Sequence, residues 1–526
     1  MKRIVYAFTI ILLFIFVFAI QSAVILNKQN EYVPRRRLGN HDFASIIPTM
    51  PDNTYISYTE FRKNIANASA TPEDIYAGAA GKKIRFDSAE ELYRFSVDVS
   101  YHPDQIYMTP DPEENVKLSY EVINVLLSLD YVLGQDIDYS VMKSRQFIPI
   151  GYSFSLLDGT SHENIFTGTF DGRGFEISNL YFADYELLTT VDGEGEEQVD
   201  QALAPYYAMF PYNAGTIRNL GIINPTFEMT EEHTGIYKAA NLVGHNTETG
   251  VIEKVYVIDN RDDIFRAGIR MRATVGAGGS DYQAAGIVFE NDGVFRDAYY
   301  VSKVVINASY INSFEVQPVL FVDRADAENL VYDEDVYLLT VNIGGIDFTV
   351  TQPNDYAIGE ASGVLRSSSS LGSDWFYYPA DRYPSLLGLE YDEATDEYLI
   401  GDAVDLIIFS KIMNYNTVYH DAPFRSSKYR LTGDIDMNQV SPTAYVTPLI
   451  DFSGDLSGDT GSDGHYYISR LKLANGVIID GNYHAGLFSY LSGNVSKITF
   501  YDCSLILNDT SSYYSSEFNI GFIAAV

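Results

Sequence analysis

The sequence holds a single cysteine, Cys503, in 526 residues. No intrachain disulfide and no cysteine-based metal cluster can form. A chain this long does not depend on such staples, because its apolar content can build sizeable cores. Basic residues are scarce too: 35 Lys and Arg face 71 Asp and Glu, a formal net charge of −36. A surface so negative repels phosphate backbones and excludes nucleic acid as a partner. Cationic partners, or partners bridged by metal ions, suit it better. The eight histidines (His41, His102, His162, His233, His245, His420, His465 and His484) lie far apart along the chain. None forms the H-E-x-x-H pair of zinc peptidases. There is no G-x-S-x-G elbow, and Cys503 has no evident partner for nucleophilic catalysis. Within KITFYDCSLIL, Cys503 reads as a small buried hydrophobe.

What the chain has in quantity is apolar and aromatic surface. It is 46% hydrophobic, with 42 Tyr and 30 Phe against one Trp. Such a chain can bury enough to fold, which excludes wholesale disorder, and its Tyr, Phe, Val and Ile favour strands.

The longest uncharged run opens the sequence. Lys2-Arg3 precede IVYAFTIILLFIFVFAIQSAVIL, residues 4–26. Roughly 20 apolar residues span a bilayer, and a charged start before an apolar run is also how a secretory signal reads. Residues 1–26 are therefore a signal peptide, with Ala19 and Ala23 as conceivable cleavage points, or a membrane anchor. Lys28 and Arg35-Arg36-Arg37 lie beyond the run, which runs against the positive-inside pattern. No cysteine is near enough for a lipid anchor. Residues 27–80, with Pro34, Pro48, Pro51 and Pro72 and little periodicity, read as a spacer.

The stretch FTGTFDGRGFEISNLYF, residues 166–182, is the most informative in the chain. Phe166, Gly168 and Phe170 share one face of a strand, and Thr167 and Thr169 the other. Asp171-Gly172 signals a turn, glycine accepting positive φ at little cost. Alternation resumes at Phe175 and Ile177, shifts at Ser178-Asn179 and resumes at Leu180 and Phe182. A phosphate loop would need a following helix and a lysine at fixed offset, and a calcium loop several more carboxylates. The reading is strand, tight turn, strand, corner, strand.

The same blocks occur twice, in the same order. IRFDSAEELYRFS at 84–96 matches IGDAVDLIIFS at 400–410, and DYVLGQDID at 130–138 matches KYRLTGDID at 428–436. FIPIG at 147–151 matches VTPLI at 446–450, and the 166–182 stretch matches FSGDLSGDTGSDGHYYISRLKL at 452–473. YAMFPYNAGTIRNLGI at 207–222 matches AGLFSYLSGNVSKITF at 485–500. The duplication sets a first domain at 81–386 and a second at 398–526.

Inside the first domain a shorter unit recurs. Met209-Phe210 leads to Gly215-Thr216-Ile217, Leu242-Val243-Gly244-His245-Asn246 to Gly250-Val251-Ile252, and Ile287-Val288-Phe289-Glu290-Asn291 to Gly293-Val294-Phe295. These units are 33 and 45 residues apart. A unit this short cannot bury its own apolar face, but stacking rung on rung does, which predicts a solenoid of parallel strands with a continuous apolar interior. Its exposed ends need covering. Ser88-Ala89-Glu90-Glu91 reads as a capping box opening a helix with Leu92 and Phe95 as its apolar stripe, and Asp402 to Asp405 with Leu406 and Phe409 repeats the arrangement.

At these residues the sequence resembles the GLUG-motif repeat domain of bacterial surface adhesin-like proteins. That family is associated with right-handed parallel β-helices, and the domain also occurs in the non-catalytic region of IgA-cleaving metallopeptidases. The motif itself (Gly, apolar, apolar, Gly) departs by one position at each match: Gly286-Ile287-Val288 ends in Phe289, Asn241 opens Leu242-Val243-Gly244, Gly486-Leu487-Phe488 ends in Ser489, and Gly521-Phe522-Ile523 ends in Ala524. Trp375 and Tyr383-Pro384-Ser385-Leu386 resemble the usual close of such a unit. Residues 301–370 carry the resemblance poorly, and YLLTVNIGGIDFTVTQ predicts an inserted hairpin turning at Gly344-Gly345. The resemblance implies an all-β, right-handed parallel β-helix with short capping helices, in two consecutive copies after an N-terminal hydrophobic helix. The second copy stops at NIGFIAAV, where the first continues past Leu242, so the expectation is a truncated copy and a chain that is a fragment of a longer protein.

No catalytic set emerges, and no cofactor beyond a weakly signalled Ca²⁺ is expected. Asp136, Asp138, Asp434 and Asp436 recur in the paired D-I-D segments and read as turn-forming carboxylates or a divalent-ion site. Asp455, Asp459 and Asp463, in the enlarged turn of the second copy, are the better metal candidates. Tyr206-Tyr207, Tyr299-Tyr300, Phe376-Tyr377-Tyr378 and Tyr513-Tyr514 form sugar-stacking patches or strand-surface ladders. The leading expectation is an exported, non-enzymatic cell-surface protein whose repeats act in adhesion, display or as a stalk. Its partner would be an extracellular protein or glycan, and a membrane if residues 4–26 are retained. The alternatives are a β-helix polysaccharide-degrading enzyme, which needs carboxylates about 5–10 Å apart in a groove, and the non-catalytic part of a surface peptidase whose catalytic domain lies beyond residue 526.

Overall fold

The computed structural model describes most of residues 55–524; the longest intervals outside it are 1–54, 100–117 and 507–517. All described residues lie in one unit, Asp42–Val526. The expectations for residues 4–26 and for most of the spacer therefore fall outside the described residues. Among those residues no helix is long and apolar enough to cross a membrane.

The architecture is mostly parallel β-sheet with a few short helices. The chain visits four sheets in one order, pass after pass. Phe210–Asn213 belongs to the first, Thr216–Ile223 to the second, Thr226–Met229 to the third and Ile236–Ala240 to the fourth. Val243–Asn246 then returns beside Phe210–Asn213, and Val251–Ile258 beside Thr216–Ile223. The next pass repeats this from Val288–Asn291, and a further one from Leu320–Asp323. Residues 304–333, poor in the sequence pattern, thus supply one strand to each sheet. Leu339–Ile343 and Ile346–Val350 then pair antiparallel with Ile343 opposite Ile346, while the expected turn at Gly344-Gly345 lies outside the described residues.

Register makes the core. Phe170, Ile217, Ile252 and Phe295 are successive partners, and all are at most 1% exposed. Ile177, Leu242 and Ile287 are buried as fully. Burying one such side chain is worth about 1.5–3 kcal/mol, and each shields the rung beside it. In the second sheet every long strand bends at one aligned position: Asn219, Lys254, Asp297 and Asn329 have φ of 51°, 54°, 55° and 53°. Left-handed backbone disfavours residues with a Cβ, and the Asn members of this column are held by side-chain hydrogen bonds to the preceding rung. Asn329 Nδ2 donates to Asp297 Oδ1 at 2.9 Å, and Asn219 Nδ2 to Asp171 Oδ1 at 3.0 Å.

Glycines open the strands because neighbouring rungs leave no room there. A Cβ on Gly215 would lie 2.1 Å from the Gly168 carbonyl oxygen, and one on Gly293 2.3 Å from that of Gly250. The second set of passes repeats the contact, with 1.9 Å between a Gly493 Cβ and the Gly454 oxygen. Other details recur with it. Tyr131 Oη donates to Leu126 O and Tyr429 Oη to Phe424 O, both at 2.6 Å. The Phe95 and Tyr131 rings are 4.4 Å apart, the Phe409 and Tyr429 rings 4.6 Å.

The stretch at residues 166–182 differs from the expectation in two ways. Thr169–Asp171 and Glu176–Ser178 both pair parallel with the single strand Thr216–Ile223. The turn between them is thus an excursion from one continuous line and not a reversal. Positive φ falls on Arg173 (54°) and Gly174 (78°), while Gly172 serves close approach: its Cβ would sit 2.4 Å from Asn219 O.

Helices Tyr58–Ile65, Pro72–Ala79, Ala89–Asp98 and Tyr120–Leu126 gather at the N-terminal end of the second sheet, where Tyr58, Phe86, Phe95 and Tyr131 pack ring to ring. Ser88 caps Ala89–Asp98 by accepting from Glu91 N, but Glu91 does not complete the box. Its carboxylate accepts from Asp87 N and Thr59 N instead, tying two elements together. Asp405 repeats the move on Gly401 N at the start of Ala403–Asn414. That helix also reaches the first set of passes through an ion pair from Lys411 to Asp136.

Outside the second sheet, Tyr256 and Tyr299 stack 5.1 Å apart and 4° from parallel beneath Trp375. Tyr383 and Ser362 both donate to the buried Asp333 carboxylate, fastening this cover. The closing residues picked out in the sequence are therefore buried packing.

Candidate functional site

The first sheet carries two kinds of residue on alternating positions. Asn213, Asn246 and Asn291 are fully buried and form a ladder of side-chain amides ending on Asp323, with N to O distances of 2.7, 2.8 and 2.8 Å. One position earlier on each strand, the side chains face the other way. There Tyr212, His245 and Glu290 are register partners. Asp292, two residues after Glu290, returns to that face.

Parallel register brings His245 and Glu290 onto adjacent rungs, about 4.8 Å apart at the backbone. One ligand atom from each of His245, Glu290 and Asp292 lies within 4.8 Å of the others. His245 Nε2 is 2.8 Å from Asp292 Oδ2. Arg324, just past the next strand, pairs with Glu290 and lies 3.2 Å from Asp292 Oδ1. Tyr206 donates from its hydroxyl to Glu290 and lies over Gly244, where a Cβ would be 2.2 Å from its own. Lys238 Nζ sits 5.0 Å over the Tyr206 ring, a cation against a π-face.

The electrostatics follow from this packing. Burial works to raise the Glu290 carboxyl, but hydrogen bonds from Tyr206 and Arg324 outweigh it and hold the group below its ordinary value. The hydrogen bond from His245 is the main cause that holds Asp292 low. Burial first, then the Glu290 carboxylate, pushes the Tyr206 phenol far up, so it stays a donor. Two ionised carboxylates thus converge on one imidazole at a half-buried surface, with one guanidinium between them.

The residues singled out in the sequence sit elsewhere. Asp136 accepts from Glu176 N at 3.0 Å and Asp434 from Tyr467 N at 2.9 Å. Asp138 accepts from Ser140 N and Asn179 Nδ2, and Asp436 from Asn438 N and Arg470 Nε. Each is engaged in joining strands or shaping a turn. Asp455 accepts from Asn494 Nδ2 at 2.7 Å, and Asp459 pairs with Lys497 at 2.5 Å. Asp463 lies outside the described residues, so the trio is not brought together among them. Tyr299 and Tyr300 are fully buried and Tyr206 nearly so, which removes them as sugar platforms. Residues 376–378 and 513–514 are outside the described set. Cys503 is half-buried, its Sγ 3.2 Å from Tyr501 O, and burial pushes its thiol up.

His245 meets its partners through strand register and not through spacing along the chain. The signal was present: the units LVGHN and IVFEN, aligned, set His245 against Glu290. No family model, no curated protein and no solved structure matches the chain.

Proposed function

We propose that the chain is an exported, non-enzymatic cell-surface protein. Its strands wind as a right-handed parallel β-helix in two consecutive copies, residues 81–386 and 398–526, and serve as an adhesion, display or stalk module. The supporting observation is the unbroken parallel register that runs from Thr169 through Thr216, Val251 and Val294. Such a construction lengthens by adding passes and directs its connections outward, which suits a scaffold. Right-handed crossovers are the rule for parallel strands. Residues 4–26, as export signal or anchor, supply the route to the surface, and an extracellular protein or glycan is the partner class.

The test is labelling of intact producing cells with a membrane-impermeant biotin reagent, alongside a glycan array and turnover assays on neutral and acidic polysaccharides. Surface labelling with binding and no turnover is the expected result. Protein confined to the cytosol, or cleavage of a polysaccharide, would overturn the reading.

A further inference from the structure

We propose that His245, Glu290 and Asp292 form a binding site for a divalent transition metal of the zinc class. Three observations carry it. First, the donors are one imidazole and two carboxylates, and their ligand atoms already lie within 4.8 Å of one another. Zinc takes such N and O ligands in tetrahedral sites, whereas calcium and magnesium prefer all-oxygen shells. Second, the donors are fixed by the fold. His245 and Glu290 are register partners in a parallel sheet, and Tyr206 holds Glu290 from behind, as an outer-shell partner orients a metal ligand. Third, the cluster already holds a cation. Arg324, 55% exposed in its side chain, bridges Glu290 and Asp292. A divalent ion meets the same two carboxylates and adds the His245 nitrogen, which the guanidinium cannot use as a ligand. The metal completes three protein ligands and leaves one position open.

Competition titration of the full-length chain in detergent, with Zn²⁺ and a chromogenic chelator, tests this. Mg²⁺ and Ca²⁺ serve as comparisons. One site should be lost on His245→Ala, with binding weakened at least about tenfold, the lower range for losing even an outer-shell partner. Arg324→Ala should tighten binding, because it removes the competing cation. Glu290→Gln should weaken it. Circular dichroism and thermal melting of each variant establish that it folds. His465→Ala, remote from the cluster, controls for binding at scattered histidines. If zinc binding is unchanged in His245→Ala and Glu290→Gln, or if Arg324→Ala weakens it, the assignment falls and the cluster is a salt bridge only.

Discussion

Asn246 donates from its side-chain amide to the side-chain oxygen of Asn291, 2.8 Å away, while its own oxygen accepts from Asn213 at 2.7 Å. It also lies within 3.1 Å of Val294 O. One fully buried residue therefore satisfies partners on the rungs before and after its own, and its removal orphans groups on both sides. Asn246→Leu should cost about 1–3 kcal/mol, the penalty for buried polar groups left unmade. Asn246→Asp should cost more, since a carboxylate cannot donate to Asn291. Urea unfolding midpoints check both.

The glycine column makes a second prediction. At Gly215 and Gly493 an added methyl meets backbone oxygen at 2.1 and 1.9 Å. Backbone cannot turn aside as a side chain can, so the rungs must part. Gly215→Ala and Gly493→Ala should each destabilise by at least about 1–3 kcal/mol, as overpacking does. Gly363→Ala, with nothing within 4 Å and a helical setting, should be neutral or stabilise by up to about 1 kcal/mol. Calorimetric melting of the three variants tests the contrast.

Tyr131 and Tyr429 make the same hydrogen bond to the carbonyl five residues earlier. Tyr131→Phe and Tyr429→Phe should therefore destabilise by similar amounts, about 0.5–1.5 kcal/mol each. Unequal losses in chemical denaturation would show that the two sets of passes are not energetic equivalents.

Acid should act through Asp436. Partial burial works to raise its carboxyl, but the hydrogen bonds from Arg470 and Asn438 N outweigh it and hold the group below its ordinary value. A lowered carboxylate contributes stability that is present above the unfolded value, about 3.9, and is lost as pH falls through the folded one. Asp436→Asn should be less stable than the parent at pH 7, and the gap should close below about pH 4. A urea midpoint measured against pH reads this directly. A gap that widens on acidification would contradict it.

The parallel β character was legible because Phe170 and Ile217 alternate with polar neighbours at a strand period, and because glycines punctuate the units at matching places. The twofold recurrence of blocks was legible for the same reason, and Tyr131 with Tyr429 and Gly215 with Gly493 repeat it atom by atom. What the sequence concealed depended on register. His245 and Glu290 stand 45 residues apart, and only strand pairing makes them neighbours. The role of Gly172 was misread because positive φ and crowding both select glycine, and here Arg173 takes the φ. Glu91 followed a capping-box spacing yet reached Thr59, a partner that local pattern cannot reveal.

Within each parallel sheet the backbone of a strand bonds to the strand before it and the strand after it. Cooperativity in such a chain is short-ranged. A wound at one level, such as a cleaved connection, would leave distant levels standing. If the passes stack as proposed, tension along the stack would open them one at a time, each yielding at its own force.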